Sequence, residues 1–317
     1  MAGVTVSGRH LALVGPTASG KSALALALAR ARPGVELVSV DSMQVYRGMD
    51  IGTAKPTPAE QAEVPHHLLD VADPGSRFTV TRFAVAAADA LAGIEDRGHT
   101  AVLVGGTGLY LQAVLGDLQP PGEFPSVRDA LVAEGAATAA LHRRLTELDP
   151  VAAGRIEPEN ARRVLRALEV TIGSGRPFSS FGPGIGAYPS QARFSVVGAW
   201  LPRGVVAERI GERVAAMVAA GLVDEVAALA DALGPTARQA LGYKEVLAHV
   251  EHGADLDGCI AQTVARTRRF ARRQRSWFRR DPRIRWYGTA SDPSRLLPGL
   301  LVELDRCSGR SGRGDAA

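Results

Sequence analysis

Residues Gly15–Ser22 read Gly-Pro-Thr-Ala-Ser-Gly-Lys-Ser, two glycines five apart followed at once by Lys and Ser. The short apolar run Leu11-Ala12-Leu13-Val14 precedes this octapeptide, and the Ala- and Leu-rich stretch from Ser22 to Arg30 follows it. Strand, glycine-rich turn and helix in that order aim several backbone N–H groups and the positive end of a helix at one anion. Lys21 adds a point charge and Ser22 offers a hydroxyl to Mg²⁺. All eight residues, Gly15, Pro16, Thr17, Ala18, Ser19, Gly20, Lys21 and Ser22, are therefore assigned to a diphosphate or triphosphate group. The octapeptide alone does not say what is done with that group.

The rest of the chain fits the sheet that such a loop needs. Leu11–Val14, Glu36–Val40 and Ala101–Val104 read as strands, and a helical pattern from Thr81 to Asp96 separates the second from the third. Strands alternating with helices predict a parallel sheet, and ligands gather at the carboxyl ends of its strands. Polar or glycine-rich residues stand at each of those ends: the phosphate loop, Asp41-Ser42, and Gly105-Gly106-Thr107-Gly108. After Gln119-Pro120-Pro121-Gly122 the pattern turns helical from Val127 to about Thr171, then loop-like to Ser190, before Phe194–Leu201 reads as a further strand. Helices are expected from Val205 to Ala232 and from Asp257 to Arg280. The expected fold is α/β, a P-loop NTPase-like doubly wound parallel sheet with an inserted helical domain. The core takes 9–121 and 194–303, the insertion 122–193, and 304–317 is read as a disordered tail.

No apolar run approaches the roughly 20 residues of a membrane helix, and the first ten residues lack the apolar core of a secretory signal. Cys259 and Cys307 stand without metal-ligand spacing, so no zinc site is expected, and the chain reads as a reduced, cytoplasmic enzyme. Net charge is only +4, yet ten arginines and one acid, Asp281, lie between Arg266 and Arg285. That local excess points to a polyanionic partner; its alternative is a solvated helix face in an arginine-preferring chain.

Asp41, at a strand end beside the loop, suits a magnesium ligand, a general base or a helix cap. Thr107 follows two glycines that let backbone approach a ligand; it suits phosphate contact, substrate orientation or capping of the next helix. No Asn-Lys-x-Asp guanine-reading motif and no apolar run ending in Asp-Glu is present, which disfavours GTPase and motor-ATPase readings.

Several stretches in order complete the pattern: Gly15–Ser22, Asp41–Tyr46, Gly52–Pro56, His66–Asp70, Val104–Tyr110, Arg162–Glu169, Ala240–Glu245 and Thr267–Gln274 with Trp277-Phe278-Arg279. Together they resemble the tRNA dimethylallyltransferase family over about Leu11 to Tyr287. One departure is Gly108, where many relatives carry a larger residue; in a turn this should be harmless. The resemblance implies transfer of a dimethylallyl group from its diphosphate to N6 of the adenosine 3′ of the anticodon, by a monomer using Mg²⁺. It implies that the loop holds pyrophosphate and does not cleave ATP. It makes Asp41 the base and gives Thr107 a positioning role. It brings Arg128 to the same phosphates, a residue otherwise read as solvated. The implied contacts with the anticodon stem-loop are Asp41, Ser42, Met43 and Gln44 at the target adenine, Thr107 and Arg128, and Arg162, Arg163, Val164, Leu165 and Arg166. They continue with Gln239, Ala240, Leu241, Gly242, Tyr243 and Lys244, and with Arg272, Arg273, Gln274, Arg275, Ser276, Trp277, Phe278 and Arg279. Phe270, Trp277 and Phe278 are nevertheless expected to pack against the core. A small-molecule kinase, a transferase acting on free adenine nucleotides and a non-enzymatic RNA-binding protein share parts of this pattern, and the first two do not require the arginine cluster.

Overall fold

In the computed structural model, which describes residues 9–116, 121–182, 188 and 193–309, six strands form one sheet. They are β1 (His10–Val14), β2 (Val35–Val40), β3 (His66–His67), β4 (Thr100–Gly105), β5 (Phe194–Trp200) and β6 (Arg285–Gly288), in the order β3-β2-β4-β1-β5-β6. Every pairing is parallel. Continuous apolar strands without polar alternation suit a sheet covered on both faces, and all five residues of β1 are buried. Successive side chains serve opposite layers. Ala12, Val14, Val38, Val40 and Leu103 join Phe83, Leu91 and Ile94 of the Val80–Asp96 helix. Leu11, Leu13, Leu37, Val102 and Val197 join Leu24 and Leu28 of the Lys21–Ala31 helix and Leu300 and Leu304 of the Leu297–Cys307 helix.

The described residues group into two compact units, one drawn from Met1–Gly116 and Tyr188–Ala317, the other from Asp117–Ala187. The second unit is helical. Its helices Pro125–Ala133, Thr138–Leu148 and Ala161–Ser174 and the short turn Pro150–Ala153 close over Leu131, Leu141, Leu145, Val164 and Leu168. The first unit carries every strand, the phosphate loop and the arginine-rich helix Leu256–Phe278.

Two expectations need correction. The stretch 304–317 is not wholly a tail: Leu304 and Cys307 are buried in the last turn of the Leu297–Cys307 helix, and 310–317 lie outside the described residues. The helix expected over Val205–Ala232 breaks into Arg203–Ala219 and Leu222–Leu229, because Gly221 turns in the left-handed region at φ 99°. Strands β3 and β6 escape sequence reading because they are short edge strands, two and four residues long, with no alternation to detect. Of the expected linker, Gln119 and Pro120 lie outside the described residues.

Candidate active site

Register brings the site together. Val14 of β1 pairs with Gly105 of β4, and Val40 of β2 pairs with the same Gly105. The residues that follow these three, Gly15, Asp41 and Gly106, therefore leave the sheet at one carboxyl edge. The approach is close: a Cβ on Gly105 would stand 2.1 Å from the Val40 carbonyl oxygen.

The phosphate loop curls through left-handed backbone at Ala18 (φ 62°) and Gly20 (φ 83°), and the helix Lys21–Ala31 starts directly behind it. The first-turn N–H groups of an α-helix have no partner inside the helix and face the loop's concavity. Ser19 Oγ is wholly buried, has no hydrogen-bond partner among the described residues and lies inside the loop, 2.8 Å from where a Cβ on Gly15 would stand. A buried hydroxyl without an acceptor, inside a glycine-rich loop, is suited to an anion there. Burial, reinforced by the neighbouring Arg213 and opposed by the Asp41 carboxylate, pushes the Lys21 ammonium down to about 8.

Two arginines absent from the sequence-based expectations complete the loop's surroundings. Arg209 Nε donates to the Ala18 carbonyl at 2.9 Å, and Arg213 Nη1 reaches Thr17 Oγ1 at 3.4 Å. Burial lowers the Arg213 pKa while Asp41 raises it, so the Arg213 cation stands between Lys21 and Asp41 electrostatically. Their i, i+4 spacing on Arg203–Ala219 was readable, but an exposed-looking arginine pair carries no signal of what it faces until the helix is docked.

Asp41 and Thr107 meet at the other side of the edge. Met43 N donates to Asp41 Oδ1 at 2.9 Å, and Ser42 N donates to Thr107 Oγ1 at 3.2 Å. Asp41 thus holds a tight turn, not a helix cap, and Thr107 ties its own loop to that turn instead of capping the Gly108–Leu115 helix. Both line a cavity of about 730 Å³ together with Thr17 and Arg213. One wall is apolar, from Ile210, Val214, Met217 and Leu222; Arg266, Arg269, Phe270 and Arg273 of the arginine-rich helix form another. Gln239, Ala240, Leu241 and Gly242 also line it, as do Ser42 and Met43.

The structure removes several side chains from the expected RNA surface. Gln44 Oε1 accepts from Ser39 Oγ, and its Nε2 donates to the Thr53 and Ala54 carbonyls, so both ends of the amide hold the neighbouring loop. Val164, Ala240, Tyr243 and Phe278 are core residues. Arg275 is buried over the Trp200 ring and donates to the Leu201 carbonyl. Gln274 is buried and spans two site loops, accepting from Thr17 N and donating to the Gly106 carbonyl. Trp277 packs on the core, its indole Nε1 2.1 Å from where a Cβ on Gly108 would stand. Gly108 is consequently the first residue of a helix pressed against an indole, and a larger residue there is not harmless in this chain. Of the ten clustered arginines, Arg266 pairs with the buried Glu245, Arg283 with Asp281 and Arg285 with Glu303, so part of that charge builds the fold. Arg272, Arg273, Ser276 and Arg279 remain exposed, with Gln239 and Lys244, while Leu241 is half-buried.

In the helical unit, Arg162 and Arg163 are exposed, Leu165 is half-buried, and Arg166 pairs with the buried Glu169 while donating to the Pro121 and Gly122 carbonyls. Arg128 faces the same Glu169 at 3.4 Å.

A parallel α/β sheet with a phosphate loop and a carboxylate at one carboxyl edge defines the class of phosphate-loop proteins. The comparisons narrow that class. The profile of the IPP transferase family matches residues 44–281, and that of the isopentenyl transferase family matches 9–71. The tRNA dimethylallyltransferase of Saccharopolyspora erythraea is 49% identical over 93% of this chain and 94% of its own. The corresponding protein of Streptomyces coelicolor is 46% identical over 93% and 95%. Among solved structures, the tRNA isopentenylpyrophosphate transferase of Bacillus halodurans superposes with a TM-score of 0.66 at 37% identity, covering 95% of this chain and 98% of that one. A eukaryotic dimethylallyltransferase acting on tRNA gives 0.79 at 26% identity, covering 98% and 82%. The chain belongs to the tRNA dimethylallyltransferase family.

Proposed function

We propose that this chain transfers a dimethylallyl group from dimethylallyl diphosphate to N6 of the adenosine 3′ of the anticodon in tRNA, releasing diphosphate. The observation that carries this reading is one cavity lined by Thr17 of the phosphate loop, Arg213 and Asp41, with the buried Lys21 ammonium beside it, electrostatically coupled to both Arg213 and Asp41.

The allylic carbon–oxygen bond breaks with its electron pair leaving on diphosphate, and the N6 lone pair forms the new carbon–nitrogen bond. Negative charge grows on the leaving group, where preorganised donors stabilise it most effectively. The loop amides, the Lys21 ammonium and the Arg213 guanidinium supply those donors. Ile210, Val214, Met217 and Leu222 give the dimethylallyl chain an apolar wall that keeps water from the reacting carbon. The N6 proton passes to Asp41, whose Oδ2 is not engaged by the turn that uses Oδ1. Thr107 holds that turn in place through Ser42.

Mg²⁺ fits this donor set: Ser22 is exposed on the first helical turn beside Lys21. A cation held by one hydroxyl and by substrate phosphate oxygens, with water, follows magnesium's habit. When bound it neutralises charge on the diphosphate. For the RNA, Arg162, Arg163, Arg269, Arg272, Arg273 and Arg279 supply phosphate contacts, because their positions are exposed or line the cavity.

Mass spectrometry of nucleosides from an anticodon stem-loop, incubated with the protein, Mg²⁺ and dimethylallyl diphosphate, tests the reading. N6-dimethylallyladenosine is expected with the native protein. Asp41→Ala should lose about 10²- to 10⁴-fold in rate while RNA affinity changes far less. Native-like transfer by Asp41→Ala removes the base assignment.

A further inference from the structure

One amide bridges the phosphate loop and the turn after β4. Gln274 is carried on Leu256–Phe278 and is 6% exposed. Its Oε1 accepts from Thr17 N in the phosphate loop at 2.8 Å. Its Nε2 donates to the Gly106 carbonyl, in the turn after β4, at 2.9 Å. The two contacts fix the amide's orientation, since the flipped amide would set donor against donor and acceptor against acceptor. Space is as constrained as polarity: a Cβ on Gly106 would lie 2.2 Å from Gln274 Nε2 and 3.7 Å from the Gly15 carbonyl oxygen. The amide fills the volume a side chain at position 106 would take.

The consequence runs further than the two loops. Thr107 follows Gly106 and holds Ser42 N, next to Asp41. Thr17, Gln274, Gly106, Thr107 and Ser42 thus form one unbroken line of hydrogen bonds and chain from the anion cradle to the carboxylate. A phosphate-loop N–H that could have faced an anion is spent on this link instead.

We propose that Gln274 is a positioning residue that sets the separation between the departing diphosphate and the Asp41 carboxylate. It acts through the Thr17 and Gly106 backbone and touches neither substrate, an inference that rests on the loop holding diphosphate. Since a misplacement of about 1 Å costs about a hundredfold in rate, its loss falls on kcat more than on RNA binding.

The test uses Gln274→Leu and the near-isosteric Gln274→Glu in the full chain, with single-turnover transfer from dimethylallyl diphosphate to an anticodon stem-loop and RNA affinity measured alongside. Gln274→Leu is expected to lower the single-turnover rate about a hundredfold with RNA affinity within about threefold of native. In Gln274→Glu the ionised carboxylate accepts from Thr17 N but confronts the Gly106 carbonyl. Burial and that carbonyl both favour the protonated acid, which restores one donor and one acceptor. The rate of Gln274→Glu relative to native at the same pH should therefore climb at least about tenfold as pH falls from about 8 to about 5.5, while that of Gln274→Leu stays flat. A Gln274→Glu ratio that is flat with pH, or a Gln274→Leu rate within about threefold of native, overturns the proposal. Should Gln274→Leu fail to fold, the Gln274→Glu profile decides alone. If the native protein transfers nothing to RNA, the parent reading fails; if it transfers and the variants match it, only the role of Gln274 fails.

Discussion

At the scale of single residues, Lys21 ties structure to a measurable pH dependence. Its ammonium is held at about 8 by burial and by Arg213, against the usual 10.5 of an exposed lysine. The depressed pKa means that the folded chain gives up this proton before the unfolded chain does. Between about 8 and 10.5 the unfolded state binds more protons, so this group's contribution makes stability rise with pH across that window. Anion binding runs the other way, because only the protonated amine attracts diphosphate. The dissociation constant for inorganic pyrophosphate should climb as pH passes about 8, and Lys21→Gln should bind more weakly throughout and lose that climb. Isothermal calorimetry across the range checks both; an unchanged bend in Lys21→Gln assigns the titration elsewhere. The octapeptide and Asp41 were legible in the sequence because each has a fixed spacing to a strand end. Arg213, Gln274 and the true surroundings of Gly108 were not, because their meaning comes from helices that return to the site from more than 90 residues away in sequence.

At the scale of elements, the turn into the Lys21–Ala31 helix is fixed by backbone and packing together. Gly20 sits at φ 83°, and a Cβ there would stand 2.5 Å from Pro293 Cβ. Gly20→Ala is expected to cost about 2 kcal/mol or more, from left-handed strain plus overpacking against Pro293. Urea unfolding reads this as a lower midpoint with the slope retained; a midpoint equal to native shows that the loop and Pro293 can separate without loss. The long central strands were readable as buried apolar runs, and the Val80–Asp96 helix as an amphipathic repeat. The edge strands were not, since β6 forms from Arg-Trp-Tyr-Gly at the end of an arginine-rich stretch, where charge masks its pairing with β5.

For the whole molecule, net charge is a poor guide to its partner: +4 is modest, and several clustered arginines pair internally with Glu245, Asp281 and Glu303. What remains exposed on the Leu256–Phe278 helix and on the helical unit sets the expected salt response. If about four phosphates are neutralised, RNA affinity should fall with a log–log salt slope of about −3. Filter binding of tRNA from low to moderate salt measures it, and a flat response excludes phosphate contact by these arginines. The chemistry turns on where the leaving group sits. A crystal structure with an unreactive thio-analogue of dimethylallyl diphosphate tests it most directly. Diphosphate oxygens are expected within hydrogen-bond reach of Lys21 Nζ and the amides of Gly20–Ser22, with the allyl chain in the cavity that Asp41 lines. A diphosphate bound away from Lys21, with its allyl end outside that cavity, would contradict this placement.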